Sequence, residues 1–131
     1  KLGHRLGLSP GRNAVVVFRT PEVLAAAGYD PNAALIKRVV GVPGDAIAVE
    51  SGTLQRNGLP VSEPWIAEAM DYQLEPLTVE EGTLLVLGDN RNASLDSHLW
   101  GLLKEADVVG TARWRYWPLA GFGPISAPAM G

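Results

Sequence analysis

Residues 35–42 read Leu-Ile-Lys-Arg-Val-Val-Gly-Val, a predicted strand with two adjacent cations in an aliphatic run. In an extended strand, successive side chains point to opposite faces. Lys37 therefore lies on one face and Arg38 on the other, each among aliphatic neighbours. A surface strand would gather its charges on one side, so at least one of these cations must approach an apolar layer.

Burial of a lysine disfavours its ammonium form and lowers its pKa, and a lysine near neutrality can act as a general base. Arginine stays protonated and cannot do so. The stretch therefore makes Lys37 a candidate base and Arg38 a candidate ion-pair partner. The alternative is a strand-edge pair whose charged ends reach water.

The rest of the chain predicts a mainly β, antiparallel domain with little helix. Residues 60–78 look irregular, and one short helix over 22–27 is expected, with Thr20 as its N-cap and Gly28 after its end. The domain should span residues 1–120, followed by a flexible tail over 121–131. Further strands are expected at 14–18, 46–50, 83–87 and 108–117, and hairpin turns at Ser51-Gly52 and Asn57-Gly58.

Composition excludes several classes of function. The chain has 131 residues, no cysteine and a net charge of −3, which gives no electrostatic reason to expect nucleic acid. Its two histidines, His4 and His98, do not belong to a ligand-spaced cluster, so no metal site or cofactor is expected. The sequence contains no apolar run of about 18 residues that could span a bilayer.

A second informative stretch is residues 88–101, which is rich in polar side chains and directly follows an apolar strand. Ser94, Asp96 and His98 would share one face if the backbone were extended. A self-contained triad of these three is disfavoured, because such triads assemble from separate elements. The alternative is a turn in which Asp89 and Asn90 bond their own backbone.

Together the two stretches resemble type I signal peptidases. Residues 37–45 are similar to the lysine-containing box of that family, and Gly88-Asp89-Asn90-Arg91 through Gly101 to its last conserved box. Residues 14–18 are similar to the valine-rich strand after the nucleophile box. The similarity covers roughly residues 11–118, with the matching stretches in the same order. The residues in these stretches are most similar to those of cyanobacterial and plastid members. It implies an antiparallel β fold shared with SOS-repressor proteases.

The resemblance also implies roles for individual residues. Lys37 would be the general base of a Ser/Lys dyad, and Ser94 would hydrogen-bond and orient its amine. The supporting polar network would consist of Arg38, Asp89, Arg91 and Asp96. Apolar pockets for small substrate side chains would be lined by Val17, Leu35 and Ile36.

The sequence departs from the family pattern in ways that matter. It contains no Ser-Met-x-Pro nucleophile box, so the nucleophile and a membrane anchor are expected upstream, and the fragment alone should be inactive. His98 stands where many members have arginine, so an ion pair with Asp96 would depend on pH. An interfacial aromatic patch or core packing are the alternatives for Trp114, Tyr116, Trp117 and Phe122.

The implied function is removal of N-terminal signal peptides from exported preproteins. The catalytic domain would be membrane-anchored on the extracytoplasmic side, periplasmic or thylakoid-lumen-like. Two alternatives remain at this point. One is a catalytically dead homologue that serves as a binding module, and the other is a different Ser/Lys self-cleaving protease, such as the SOS-type repressors.

Overall fold

The computed structural model describes residues 9–112 of the chain. Two helices lie in this range, α1 (Glu22–Ala26) and α2 (Ser97–Trp100), with 3-10 turns at Arg91–Ala93 and Glu105–Asp107. The strands in this range are β1 (Val15–Arg19), β2 (Ala34–Gly41), β3 (Ala46–Glu50), β4 (Thr53–Arg56), β5 (Leu59–Pro60), β6 (Leu74–Thr78), β7 (Thr83–Leu87), β8 (Leu103–Lys104) and β9 (Val108–Ala112).

The larger sheet has the strand order β8-β7-β2-β1-β9, and its strand pairs are antiparallel. The lysine-bearing strand β2 is central in this sheet. Val16 of β1 pairs with Lys37, and Leu87 of β7 pairs with Arg38. Both cations are therefore held in the middle of a sheet rather than at an exposed edge.

The smaller sheet has the order β5-β4-β3-β6 and is also antiparallel. Its two tight hairpins turn at Ser51-Gly52 and Asn57-Gly58. All four of these residues have positive φ, from 53° to 85°, which is the conformation that two-residue hairpin turns of this kind require. The predicted hairpin turns are therefore confirmed.

Apolar residues cover both faces of the larger sheet. Neighbouring residues Val39 and Val40 belong to different core clusters, as do Leu84 and Leu85. One cluster joins the two sheets through Ile47, and the other packs on the opposite face of the larger sheet. Burial of each aliphatic side chain stabilises the fold by about 1.5–3 kcal/mol. The two cations lie among these apolar side chains.

The predicted mainly β, antiparallel fold is confirmed, with strands where the sequence placed them at residues 14–18, 35–42, 46–50 and 83–87. The short helix is confirmed, but its N-cap is Pro21. The expectation for Thr20 was wrong, because its hydroxyl bonds the carbonyls of Asp30 and Ala33 instead.

Strand β6 corrects the expectation that residues 60–78 are irregular. It lies at the edge of the smaller sheet and contains Pro76, which falls between the paired positions Leu74 and Leu77. Proline is tolerated in an edge strand, but in the sequence alone it argues against a strand. The final strand is described only to Ala112, so its predicted continuation to residue 117 lies outside the described residues. The aromatic side chains at positions 114, 116, 117 and 122 and the predicted tail also lie outside them.

Candidate active site

The Lys37 side chain is buried at the centre of the larger sheet. The residue is 2% exposed, and its Nζ donates a hydrogen bond to the Ser94 hydroxyl at 3.0 Å. Burial lowers the pKa of the Lys37 ammonium to about 8, although the negative charges of Asp96 and Asp89 act in the opposite direction. The alternative in which this lysine reaches water is wrong.

Ser94 reaches Lys37 because of the backbone path after β7. The chain leaves β7, makes the 3-10 turn at Arg91–Ala93, and is extended at Ser94 with φ −111° and ψ 136°. The hydroxyl oxygen of Ser97 accepts a hydrogen bond from the Val86 amide at 2.9 Å and ties the loop back to β7. The position of Ser94 is therefore fixed by β7, by the 3-10 turn and by the hydrogen bond between Val86 and Ser97.

Asp96 is fully buried and fixed by three hydrogen bonds. One carboxylate oxygen accepts the backbone amide of Gly88 at 2.9 Å. The other accepts the backbone amide of His98 at 3.0 Å and its ring Nδ1 at 2.5 Å. Asp96 is also the N-cap of α2. Its negative charge is therefore held in a defined place near Lys37.

Arg38 makes a separate ion pair on the other face of β2. Its guanidinium bonds both carboxylate oxygens of Asp89, at 2.9 and 2.8 Å, and the carbonyl of Asn13 at 3.1 Å. The Trp65 ring covers it, with the Arg38 Cζ 4.5 Å from the ring centroid. Asp89 therefore pairs with Arg38. The described hydrogen bonds of Arg38 and those of Asp96 have no partner in common.

Arg91 anchors the site loop to the segment before β6. It is buried, bonds the carbonyl of Gly88 at 2.8 Å, and forms a bidentate pair with Glu63 at 2.7 and 2.8 Å. Sequence reasoning missed Glu63 because it lies in a proline-rich segment with no periodic pattern. It also missed Tyr72, whose ring stacks on His98 with centroids 3.8 Å apart.

The three predicted pocket residues lie on the adjacent strands β1 and β2 and are partly buried. Val17 pairs with Ile36, on the face that carries Arg38. Leu35 pairs with Phe18, on the face that carries Lys37. Their role in holding a substrate stays a prediction.

Within residues 9–112, no group of three or more His, Cys, Asp or Glu side chains is arranged to hold a metal ion. In the same range, no helix is both long and apolar enough to cross a membrane.

A comparison with protein families finds a match over most of the chain. The family described as signal peptidase, peptidase S26, matches residues 6–117 of this sequence. The chain belongs to this signal peptidase family. The match includes Lys37, Ser94 and Asp96, so the buried lysine and its serine partner lie inside the region that defines family membership.

Related proteins support the same assignment. A probable signal peptidase I-1 of Synechocystis sp. is 40% identical over 113 residues, covering 86% of this chain and 58% of the relative. A signal peptidase I of Leptolyngbya laminosa is 40% identical over 119 residues, covering 91% and 59%. A probable chloroplastic thylakoidal processing peptidase 2 of Arabidopsis thaliana is 41% identical over 109 residues, covering 83% and 30%. The expected likeness to cyanobacterial and plastid members is confirmed.

A solved structure agrees with the fold. The signal peptidase I of Enterococcus faecalis V583 matches with a TM-score of 0.60 and 28% identity, covering 77% of this chain and 94% of that one. This chain spans less than two thirds of the length of the cyanobacterial relatives, 58% and 59%.

Proposed function

We propose that this chain is the catalytic-domain portion of a signal peptidase I, a serine endopeptidase in which Lys37 is the general base. The observation that carries the proposal is the buried Lys37 amine, 3.0 Å from the Ser94 hydroxyl and with its pKa lowered to about 8. Membership of the signal peptidase family supports the reaction class.

The lowered pKa has a direct chemical consequence. At pH 7 roughly one Lys37 in ten would be the neutral amine, against fewer than about one in a thousand for an ordinary lysine. The neutral amine takes the proton of a serine supplied by a segment upstream of the described residues. That serine attacks the scissile carbonyl and forms an acyl-enzyme, and the Lys37 ammonium gives its proton to the departing amine. Water then attacks the acyl-enzyme, with Lys37 again as the base.

Ser94 is proposed to orient the base. A neutral amine has two N–H groups and one lone pair, so an N–H donated to Ser94 restricts where the lone pair points. Asp96 lies two residues further along extended backbone and is proposed to support this geometry and the charge balance of the amine.

The proposed substrates are signal peptides of exported preproteins, as the names of the related peptidases suggest. The aliphatic side chains of Val17, Leu35 and Ile36 would accept small residues before the scissile bond and exclude bulky ones. The proposed location is a membrane-anchored domain on the extracytoplasmic side, with the anchor outside the described residues.

The two alternatives are less well supported. A self-cleaving protease of the SOS-repressor type does not explain a signal peptidase match over residues 6–117. A binding module without catalytic activity does not explain why a lysine is buried at the energetic cost of desolvating its charge.

The test uses the full-length product of the gene that encodes this chain, with an exported preprotein as substrate. Cleavage at the signal-peptide boundary is expected, and Lys37→Ala should abolish it. Lys104→Ala is the matched control, because Lys104 is exposed, and it should cleave normally. Near-normal cleavage by Lys37→Ala, or a full-length product without an upstream nucleophilic serine, would overturn the proposal.

A further inference from the structure

We propose that His98 is a positioning residue for the Lys37 base, and that the proton on its ring decides how much of the Asp96 charge acts on the lysine amine. The inference deepens the proposed function and rests on it, because it assigns a means of tuning the same base. The position of Asp96 carries the inference. Its carboxylate contacts His98, and it lies two residues after Ser94, which contacts Lys37.

The contact between His98 and Asp96 fixes which ring nitrogen faces the carboxylate. The His98 Nδ1 lies 2.5 Å from a carboxylate oxygen of Asp96. An ionised carboxylate only accepts hydrogen bonds, so Nδ1 carries the proton that faces it. The protonated ring makes the Asp96–His98 pair neutral, and the neutral ring leaves it with one negative charge.

The same carboxylate is coupled to Lys37. Ser94 and Asp96 lie two residues apart, and both are buried, whereas Leu95 between them is only partly buried. Ser94 contacts the Lys37 amine, and the Asp96 charge favours the ammonium form of Lys37. A positive charge on His98 offsets that influence, and a neutral His98 restores it.

Other polar groups lie around His98. Tyr72 stacks on the ring, and burial raises the pKa of its hydroxyl, so it stays uncharged. Near Tyr72, Arg91 and Glu63 form an ion pair, and Asp71 is exposed to solvent, which screens its charge.

A second carboxylate also acts on Lys37. The Asp89 charge favours the Lys37 ammonium, and Arg38, which pairs with Asp89, offsets part of that charge. A histidine ring changes its charge between about pH 5 and 8. Within residues 9–112, His98 is therefore the group in contact with Asp96 that can alter the field at Lys37 near neutral pH.

The expected consequence is a stronger base than a permanent cation at position 98 would allow. A neutral ring at position 98 leaves the Asp96–His98 pair with its negative charge, which supports the Lys37 ammonium. A permanent cation at position 98 would cancel that charge and make Lys37 easier to deprotonate. Activity would then extend to lower pH.

The test measures the titration of Lys37 directly in the 131-residue chain, without reference to cleavage. The sequence has three lysines, Lys1, Lys37 and Lys104, so lysine labelled at Cε with carbon-13 gives few NMR signals, and Lys37→Met assigns the relevant one. His98→Arg supplies a permanent cation, and His98→Gln is the matched neutral donor to Asp96. The proton affinity of Lys37 should be about threefold or more lower in H98R than in H98Q.

Equal Lys37 titration in H98R and H98Q would overturn the inference while leaving the proposed base intact. An ordinary lysine titration in all variants would instead overturn the proposed function. Amide NMR spectra verify the fold of each variant, and His98→Lys replaces H98R if the arginine does not fold. In the full-length enzyme, the rate should increase with pH as Lys37 loses its proton, and in H98R this increase should occur at lower pH. A merely structural role of His98 would not cause that shift.

Discussion

The Lys37 amine and the Ser94 hydroxyl lie 3.0 Å apart although 57 positions separate them in the sequence. The sheet brings them together. Arg38 in β2 pairs with Leu87, the last residue of β7, so the loop that begins at Gly88 leaves the sheet beside the lysine. A central strand supplies the proposed base, and the loop of its neighbour supplies the partner proposed to orient it.

Ser94→Ala should lower the rate of signal-peptide cleavage by the full-length enzyme on the order of a hundredfold, with little change in KM. The physical reason is that the Lys37 amine loses the acceptor that restricts its lone pair. The measurement is kcat and KM on a preprotein substrate. Ser62→Ala is the control, since Ser62 is exposed. Activity of S94A within about twofold of the unmodified enzyme would contradict an orienting role.

Lys37→Met should stabilise the fold relative to the unmodified chain more at neutral than at alkaline pH. The pKa of Lys37 is about 8 in the folded state, against 10.5 ordinarily. Between these values the unfolded chain binds more protons, so the stability of the unmodified chain rises with pH. Below the folded-state pKa, the chain bears the full cost of burying the ammonium.

The difference in unfolding free energy between Lys37→Met and the unmodified chain should therefore shrink, by on the order of 2 kcal/mol, from about pH 7 to about pH 10.5. Denaturant unfolding at both pH values measures it, with Lys104→Met as the exposed control. A difference that does not change with pH would mean that Lys37 is not desolvated in the folded chain.

Asp45→Asn should weaken the fold at neutral pH. Burial acts to raise the pKa of the Asp45 carboxyl, but hydrogen bonds from Arg12 and the Val42 amide outweigh it and lower the pKa to about 2. The ordinary value is 3.8, so this stability is present above about pH 4 and is lost as the pH falls toward 2.

We expect D45N to lose about 1 kcal/mol at pH 7, since Arg12 is partly exposed, and the loss to vanish near pH 2. Urea unfolding at several pH values measures the effect, and exposed Glu75→Gln serves as the control. If D45N and the unmodified chain were equally stable at pH 7, the Arg12–Asp45 pair would have no net stabilising effect.

Glu63→Ala should destabilise the chain by about 3–5 kcal/mol, because it leaves the buried Arg91 guanidinium without its carboxylate. Thermal or denaturant unfolding gives the size, and exposed Glu81→Ala is the control. Loss of the pair should also loosen the loop that carries Ser94, seen as faster amide exchange at Gly88. Unchanged stability would show that Arg91 does not depend on Glu63.

The sequence predicted the main elements of the fold because alternation of side chains is a local property. Lys37 and Arg38 fall on opposite faces of any strand, and both are buried in the structure. Positive-φ turns such as Asn57-Gly58 can also be predicted, because they depend on the residue types at two adjacent positions. Strand β6 was missed since Pro76 argues against a strand unless its edge position is known.

The site was only partly predictable for the same reason. Glu63 and Tyr72 reach Arg91 and His98 from an irregular segment, and only tertiary packing brings them there. The sequence placed Arg38 and Asp96 in one network, but it could not tell that the two faces of β2 separate their described hydrogen bonds. Their roles in catalysis, like those of Val17, Leu35 and Ile36, stay predictions.

The most direct test of the account is the titration of the Lys37 side chain by carbon-13 NMR in the 131-residue chain, with Lys104 in the same sample as an exposed reference. A pKa of about 8 is expected for Lys37, lowered by burial, which leaves a usable fraction of neutral amine near neutral pH. A Lys37 that titrated near its ordinary value of 10.5 would contradict the claim that this residue is poised to act as the base.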